Sequence, residues 1–161
     1  NRTAVLARGE PDEASGMLLK LSQILRYQLY DCSRKAVLLK AEINFLTNYL
    51  ALEQLYSKRI RYSVSAEGEV DRTFVPPLLF IPFVQQAVVH VYGQDTFTAI
   101  DLQFRVENSR IHFVCSFDNG NLPDQNDFSS IRQRLELLYG DNYSLSISKR
   151  IIMLKLNMLK L

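Results

Sequence analysis

Residues 75–91 (VPPLLFIPFVQQAVVHV) form the most apolar stretch of the chain and constrain its fold more than any other segment. Its longest apolar run, residues 75–84, has about half the length that crosses a bilayer and contains three prolines, which argues against a membrane span. Paired prolines suit the start of a helix and glycine suits its end, which predicts a long buried helix over residues 78–92. Pro82 falls in its first turn, where the missing N–H costs least.

Alternation of apolar and polar residues predicts the strands of a sheet. The alternating segments are residues 60–66, 97–106, 110–117, 143–148 and 151–156. The polar residues 107–109 predict a hairpin, and residues 128–139 predict an amphipathic helix that ends at Gly140. The order strand, helix, strand, strand, helix, strand, strand predicts an α+β fold. We expect a two-layer α/β sandwich with a mixed open sheet and helices on one face.

Two further amphipathic helices are predicted ahead of this sheet, over residues 10–30 and 39–58. A short polar link between them makes a helical hairpin. Their surplus of apolar and tyrosine positions predicts a face that packs on something else, such as a second copy of the chain. We therefore expect a helical dimerisation or linker segment at 1–58 and a separate domain at 59–161.

Composition excludes several classes of function. With 161 residues, 47% of them hydrophobic, the chain can bury the core of one domain. A net charge of +2 argues against non-specific nucleic-acid binding. Two distant cysteines predict neither a disulfide framework nor a metal site, and two histidines exclude a His-rich centre. The sequence has no Walker-type loop, no Gly-x-Gly-x-x-Gly motif and no nucleophile elbow.

A few polar residues stand where they could line a site. Gln86 and His90 are four apart on the apolar helix and share a face, although residues satisfied by backbone or water at a core edge would look the same. Asp118 and Gly120 belong to an Asp-Asn-Gly turn after a strand, which is also ordinary turn composition. His112 alternates with apolar neighbours and reads as a half-exposed strand histidine.

A string of motifs in the same order resembles the LytS-type sensor histidine kinases and their ATPase domain. Residues 21–30 (LSQILRYQLY) resemble the family's Leu-Ser-x-x-Leu-Arg-Tyr-x-Leu-Tyr helix, and residues 37–42 and 48–53 resemble the next helix. Residues 77–84 (PLLFIPFV) resemble the run leading into the family's Glu-Asn-Ala-x-Lys-His-Gly box. Residues 134–140 (RLELLYG) resemble its late helix. The resemblance covers nearly the whole chain.

The resemblance implies an ATP-binding sandwich of the Bergerat type and assigns roles to five residues. Gln85 takes the position of a glutamate often assigned to catalysis, and Gln86 that of the magnesium-binding asparagine. His90 matches a histidine near the phosphates. Asp118 matches the aspartate that accepts a hydrogen bond from the adenine amino group, and Gly120 the glycine that lets the base approach. ATP and Mg²⁺ are thereby the implied cofactors.

Several departures from the family pattern weaken the implied chemistry. Gln85 has no carboxylate and cannot act as a general base. Gln86 is one methylene longer than asparagine, which displaces a ligand in a strict octahedral magnesium shell. Val89 and Val91 replace the usual Lys and Gly. Residues 125–130 stand where a glycine-rich element is expected and contain no glycine, although backbone that bends close to phosphates needs it.

Two hypotheses about function follow. The first is the catalytic and ATP-binding region of a two-component sensor histidine kinase, which signals to a response regulator. The second is a degenerate pseudokinase that acts as an interaction module. The resemblance places the phosphoacceptor histidine upstream of Asn1, so we expect a fragment of a longer protein, the cytoplasmic part of a bacterial inner-membrane kinase. Direct membrane contact by this part is not expected, and the helix at residues 21–30 argues against a related anti-sigma kinase.

Overall fold

The computed structural model describes residues 11–92, 96–120, 122 and 128–158. The helices are α1 (Pro11–Tyr30), α2 (Leu39–Tyr56), α3 (Ile81–Tyr92) and α4 (Ser129–Tyr139). The strands are β1 (Val37–Leu38), β2 (Ile60–Gly68), β3 (Phe74–Val75), β4 (Thr98–Glu107), β5 (Arg110–Phe117), β6 (Tyr143–Ile147) and β7 (Ile151–Asn157). A short 3-10 helix, Asp31–Ser33, follows α1.

Five of the strands form one mixed sheet in the order β2-β4-β5-β7-β6. The pair β2–β4 is parallel, with α3 in the connection between them, and the other pairs are antiparallel. The β4–β5 hairpin turns on Asn108 and Ser109, whose φ values are 51° and 60°. Positive φ at both central residues is the geometry of a type I′ turn, which matches the twist of the strands it joins.

One face of the sheet is buried and the other is open. Inward-facing residues alternate with outward-facing ones along β4, β5 and β7. The buried face carries Phe104 and Phe113, whose rings lie 4.9 Å apart, and Phe80 from the approach to α3 packs on both. Buried residues of α1, α2, α3, α4 and the sheet form one continuous core cluster. The predicted α/β sandwich preceded by a helical hairpin is confirmed.

Helix α1 is apolar on two sides. Its buried side packs against α2 through residues such as Met17, Ile24 and Tyr27. Several of its leucines face outwards, among them Leu18, which is 54% exposed, and Leu29, which is 69% exposed. The apolar positions of this helix are thus divided between a buried side and an exposed side. None of the described helices is both long and apolar enough to cross a membrane.

Local differences from the sequence-based expectations have physical causes. Helix α3 begins at Ile81 rather than at residue 78, because Leu78 adopts φ 59° in the turn that precedes it. Pro82 therefore lies at the second position of the helix, where proline is tolerated. The two-residue strands β1 and β3, which pair with each other, were missed because they are too short to show alternation. Most of the polar loop at residues 119–127 lies outside the described residues.

Candidate functional site

Helix α3 presents two different polar surfaces. Gln86 and His90 share one half-buried side of the helix, one turn apart, as their spacing predicts. Gln85 and Val89 lie on another side and are exposed, Val89 at 68%. The two glutamines are therefore not equivalent: Gln85 faces away from the core, and Gln86 lies at its edge.

The end of β5 supplies the second wall of the candidate site. The Oδ1 atom of Asp118 accepts a hydrogen bond of 2.8 Å from the backbone N–H of Ala99, at the start of β4. This bond fixes the orientation of the carboxylate. The second oxygen, Oδ2, has no hydrogen bond within the described residues and can accept one from a ligand. Asn119 donates from its amide to the hydroxyl of Thr96. The turn is therefore tied to the start of β4 by two successive side chains.

The structure brings His90 and Gly120 into direct contact. Gly120 adopts φ +83°, and a Cβ atom built on it would lie 1.9 Å from Nε2 of His90. The His90 ring also lies 5.1 Å from the ring of Phe117, the residue before the turn. Glycine is favoured here both because of the positive φ and because an added Cβ would force the imidazole of His90 to move. Two of the residues that the resemblance placed at one site are thus neighbours.

Two buried polar atoms next to this turn have no hydrogen-bond partner within the described part of the chain. They are Nε2 of His90 and Oγ1 of Thr98, the first residue of β4. Buried polar atoms without a partner are rare in folded proteins, because each loses its hydrogen bonds to water and forms none within the protein. Sequence reasoning missed Thr98, and the available signal was a polar residue at an inward-facing position of an alternating strand. The orphaned atoms fit a polar ligand held between α3 and the Asp118 turn.

The same residues do not fit a magnesium ion. Within the described ranges, no group of three His, Cys, Asp or Glu side chains could hold a metal ion. Gln86 offers only a neutral amide, and Gln85, the adjacent candidate, is exposed. Magnesium in proteins is usually bound through one or two carboxylates together with substrate phosphates and water. Gln86 as a metal ligand therefore stays a prediction from the resemblance.

Another cavity of the described structure lies away from these residues. It measures about 450 Å³ and lies on the open face of the sheet, where Arg105, His112 and Lys155 stand side by side on β4, β5 and β7. The neighbouring cations and partial burial lower the pKa of His112, burial being the larger cause. None of the five predicted site residues lines this cavity. His112 is half-buried on its strand, as the sequence pattern predicts.

Comparison with known proteins shows a similarity to histidine kinases. A family model described as histidine kinase matches residues 1–63. The nucleotide-free catalytic domain of histidine kinase ThkA superposes on 76% of the chain and 93% of its own length, with a TM-score of 0.55 and 11% identity. ThkA in complex with the response regulator TrrA superposes on 89% of the chain and 48% of its own, with a TM-score of 0.54 and 12% identity. The chain has the fold of a histidine kinase catalytic domain.

The chain is also similar in sequence to LytS-type sensor proteins. The sensor protein LytS of Bacillus cereus is 26% identical over 122 residues, which is 74% of the chain and 20% of LytS. The sensor histidine kinase/phosphatase LytS of Staphylococcus aureus is 29% identical over 93 residues, 57% of the chain and 16% of that protein. The chain thus spans about a fifth of its relatives. The chain is thus similar to LytS-type histidine kinases over a region that includes the ATPase-type domain, as the motifs predicted.

Proposed function

We propose that this chain is the ATP-binding region of a two-component sensor histidine kinase that signals to a response regulator. The observation that carries the proposal is the contact of His90 with Gly120 beside Asp118, in the fold of a histidine kinase catalytic domain. Helix α3 and the turn after β5 meet there at Nε2 of His90, and this atom and Oγ1 of Thr98 on β4 have no hydrogen-bond partner within the described residues. A polar ligand at this place would restore the hydrogen bonds that these atoms lack.

Asp118 would recognise the adenine base. Its Oδ1 atom is already occupied by the Ala99 amide, so the carboxylate has one oxygen left for a donor such as an adenine amino group. Gly120, with no Cβ, would let a flat ring approach the backbone. The His90 ring now fills the space beside Gly120, which an adenine ring would have to enter. In the ligand-bound state the His90 ring would therefore move away from Gly120 and offer Nε2 to the ligand. Asp118, Gly120 and His90 would thus bind and orient ATP, the implied substrate.

A second candidate function, a degenerate pseudokinase, is favoured by one specific observation. Gln85 and Gln86 supply amides where the family has a carboxylate and a magnesium ligand, and Gln85 faces solvent. In such a protein the site would bind nucleotide weakly or not at all. The domain would then act by contact alone on its partner.

The proposal extends to the partners of the chain and to its place in the cell. The exposed leucines of α1 make a second copy of the chain the proposed partner of the helical segment 1–58, with 59–161 as the ATPase-like domain. ThkA, which shares the fold, is known in complex with the response regulator TrrA, which supports a response regulator as signalling partner. We place the region on the cytoplasmic side of a bacterial inner-membrane protein, and we assign it no nucleic-acid partner.

Isothermal titration of the 161-residue chain with ATP, with and without Mg²⁺, tests the proposal. Asp118→Asn is the decisive variant, because asparagine keeps one oxygen for the Ala99 amide and puts an NH₂ donor where the second oxygen was. Two donors cannot pair, so binding of ATP should weaken by about tenfold or more. The exposed Asp141→Asn is the matched control. No heat at millimolar ATP would contradict nucleotide binding and leave the pseudokinase.

A further inference from the structure

The turn at residues 77–80, just before α3, is held by side chains from two other helices. Arg134 of α4 donates from Nη1 to the carbonyl oxygen of Leu78 and from Nη2 to that of Pro77, each at 2.8 Å. Glu42 of α2 accepts a hydrogen bond of 3.1 Å from the backbone N–H of Leu79 through Oε1. A guanidinium therefore holds the carbonyl side of the turn, and a carboxyl group holds its amide side.

The turn needs this support because its backbone is strained. Leu78 has φ 59°, in the left-handed region that branched and bulky residues rarely adopt. Such a conformation costs about 1–3 kcal/mol and persists only where the surroundings impose it. The hydrogen bonds from Arg134 and Glu42 act on Leu78 and its two neighbours, which are the residues that have to be fixed.

The network extends into the helical hairpin. Glu42 is 1% exposed, and its second oxygen, Oε2, accepts a hydrogen bond from the hydroxyl of Tyr27 on α1. The Tyr27 ring stacks on Phe45 of α2 at 4.8 Å. One buried carboxyl group thus connects both helices of the hairpin to the turn that leads into α3.

We propose that Glu42 and Arg134 are positioning residues that fix the start of α3 and thereby the place of His90 and Gln86 in the candidate site. The proposal rests on the proposed function only in naming the ligand. Ile81, the first residue of α3, follows the turn directly, so a shift of the turn is carried along a rigid helix to His90. Small misplacements of site residues have large consequences for a ligand whose contacts must all be made at once.

The first test measures the free protein, so it does not depend on any ligand. The variants are Arg134→Gln, which removes the fork, and Arg134→Lys, which keeps the charge but makes one contact at a time. Arg132→Gln on the same helix is the matched control. We expect the amides of Leu79 and Phe83 to exchange with solvent about tenfold faster in Arg134→Gln. The amide of Phe113, in the central strand β5, should keep its wild-type rate.

The side chain of His90 reports whether the turn positions the site. In Arg134→Gln the imidazole NMR signals of His90 should move, those of His112 should stay, and Arg134→Lys should restore part of the wild-type spectrum. A merely structural role would change exchange in all elements alike and leave His90 unmoved relative to His112. Uniformly faster exchange, or His90 signals that do not move relative to those of His112, would overturn the proposal. So would an Arg134→Gln variant that cannot be distinguished from Arg132→Gln. A variant that fails to fold leaves Arg134→Lys and Glu42→Gln to decide by the same signals.

Titration with ATP separates this proposal from the proposed function. If the wild-type chain binds ATP, Arg134→Gln should bind it about tenfold more weakly, although Arg134 lies in the turn's network and is not a predicted ligand of the nucleotide. If the wild-type chain binds no ATP, the proposed function fails while the His90 signals still decide the positioning role. Wild-type affinity in Arg134→Gln would sink the positioning role and leave the nucleotide site intact.

Discussion

The two ends of helix α3 are built on opposite principles. At its start, the hydrogen-bonding groups of a strained turn are satisfied by Glu42 and Arg134, and Glu42 is in turn bonded to Tyr27. At its other end, Nε2 of His90 is buried without a partner in the described residues, as is Oγ1 of Thr98 at the start of β4. A buried polar atom without a partner destabilises the folded chain, and a bound ligand that forms the missing hydrogen bond removes this penalty.

The difference indicates a division of labour along one helix. The satisfied end gives α3 a fixed position, and the unsatisfied end offers groups that a ligand can complete. Substitutions at the first end should therefore lower stability, and should affect binding only indirectly, through the position of α3. Substitutions at the second end should mainly change binding, with a smaller effect on stability.

The largest effect is expected for Glu42→Ala. This change leaves the Leu79 amide and the Tyr27 hydroxyl buried without a partner, so we expect a loss of about 3–5 kcal/mol in the free energy of unfolding. Urea denaturation followed by circular dichroism measures it. Glu136→Ala removes an exposed hydrogen bond to Tyr143 and serves as control. A loss equal to that control would show that the network contributes little.

Gly120→Ala should have the next largest effect, about 2 kcal/mol. The new Cβ combines a positive φ with a clash against His90, which must rotate away. Gly140→Ala is the matched control, because Gly140 has φ +55° but nothing within 4 Å of the added atom. We expect Gly140→Ala to cost less, and His90→Ala to remove the excess cost of Gly120→Ala in a double-mutant cycle. Additive effects in that cycle would mean that His90 and Gly120 do not touch.

The pH dependence of stability should reveal Glu42. Burial raises its pKa above the ordinary value of 4.5, against the opposing hydrogen bonds from Tyr27 and the backbone and the charge of Arg134. A raised folded-state pKa means that its stabilising contribution is present below pH 4.5 and is lost as the pH rises through the folded value. Wild-type stability relative to Glu42→Gln should therefore fall as the pH rises from 4.5, by at most about 1.4 kcal/mol per pH unit. A difference that does not vary with pH would contradict the raised pKa.

Tyr27→Phe should give the smallest effect, about 1 kcal/mol. The variant keeps the stacking on Phe45 and removes one hydroxyl donor from Glu42, which still accepts from Leu79. It should also raise the pKa of Cys32 slightly. Burial is the main cause that raises the pKa of this thiol to about 11, and the Tyr27 hydroxyl, which the variant removes, opposes it. Thermal unfolding measures the first effect, and a loss above about 3 kcal/mol would show that the hydroxyl matters more than one hydrogen bond.

The fold could be predicted from the sequence because most of its helices and strands have local sequence patterns. Alternation placed β5 at Arg110–Phe117, and proline, glycine and apolar spacing placed α3 and α4 within three residues. The start of α3 was wrong by three residues because Leu78 is held in a helix-incompatible conformation by Arg134 and Glu42, which lie 56 and 36 positions away in the sequence. Contacts of that range leave no local pattern.

The site was predictable only in part. Helical spacing paired Gln86 with His90, but their link to Asp118 and Gly120 came from the family resemblance, and the structure adds the contact between His90 and Gly120. The roles of Glu42, Tyr27 and Arg134 were hidden, although all three belong to motifs that carry the resemblance. A carboxyl group within the apolar stripe of a helix was the signal, and its hydrogen-bond partners, Tyr27 and Leu79, come from two other segments.

One measurement tests most directly the claim that α3 ends in a nucleotide site. The chain contains only two histidines, so the imidazole NMR signals of His90 and His112 can be followed together while ATP is added without Mg²⁺. The account predicts that the His90 signals move with a saturable dependence on ATP, that those of His112 stay in place, and that Asp118→Asn suppresses the movement. Stationary His90 signals at millimolar ATP, or equal movement of both histidines, would contradict it.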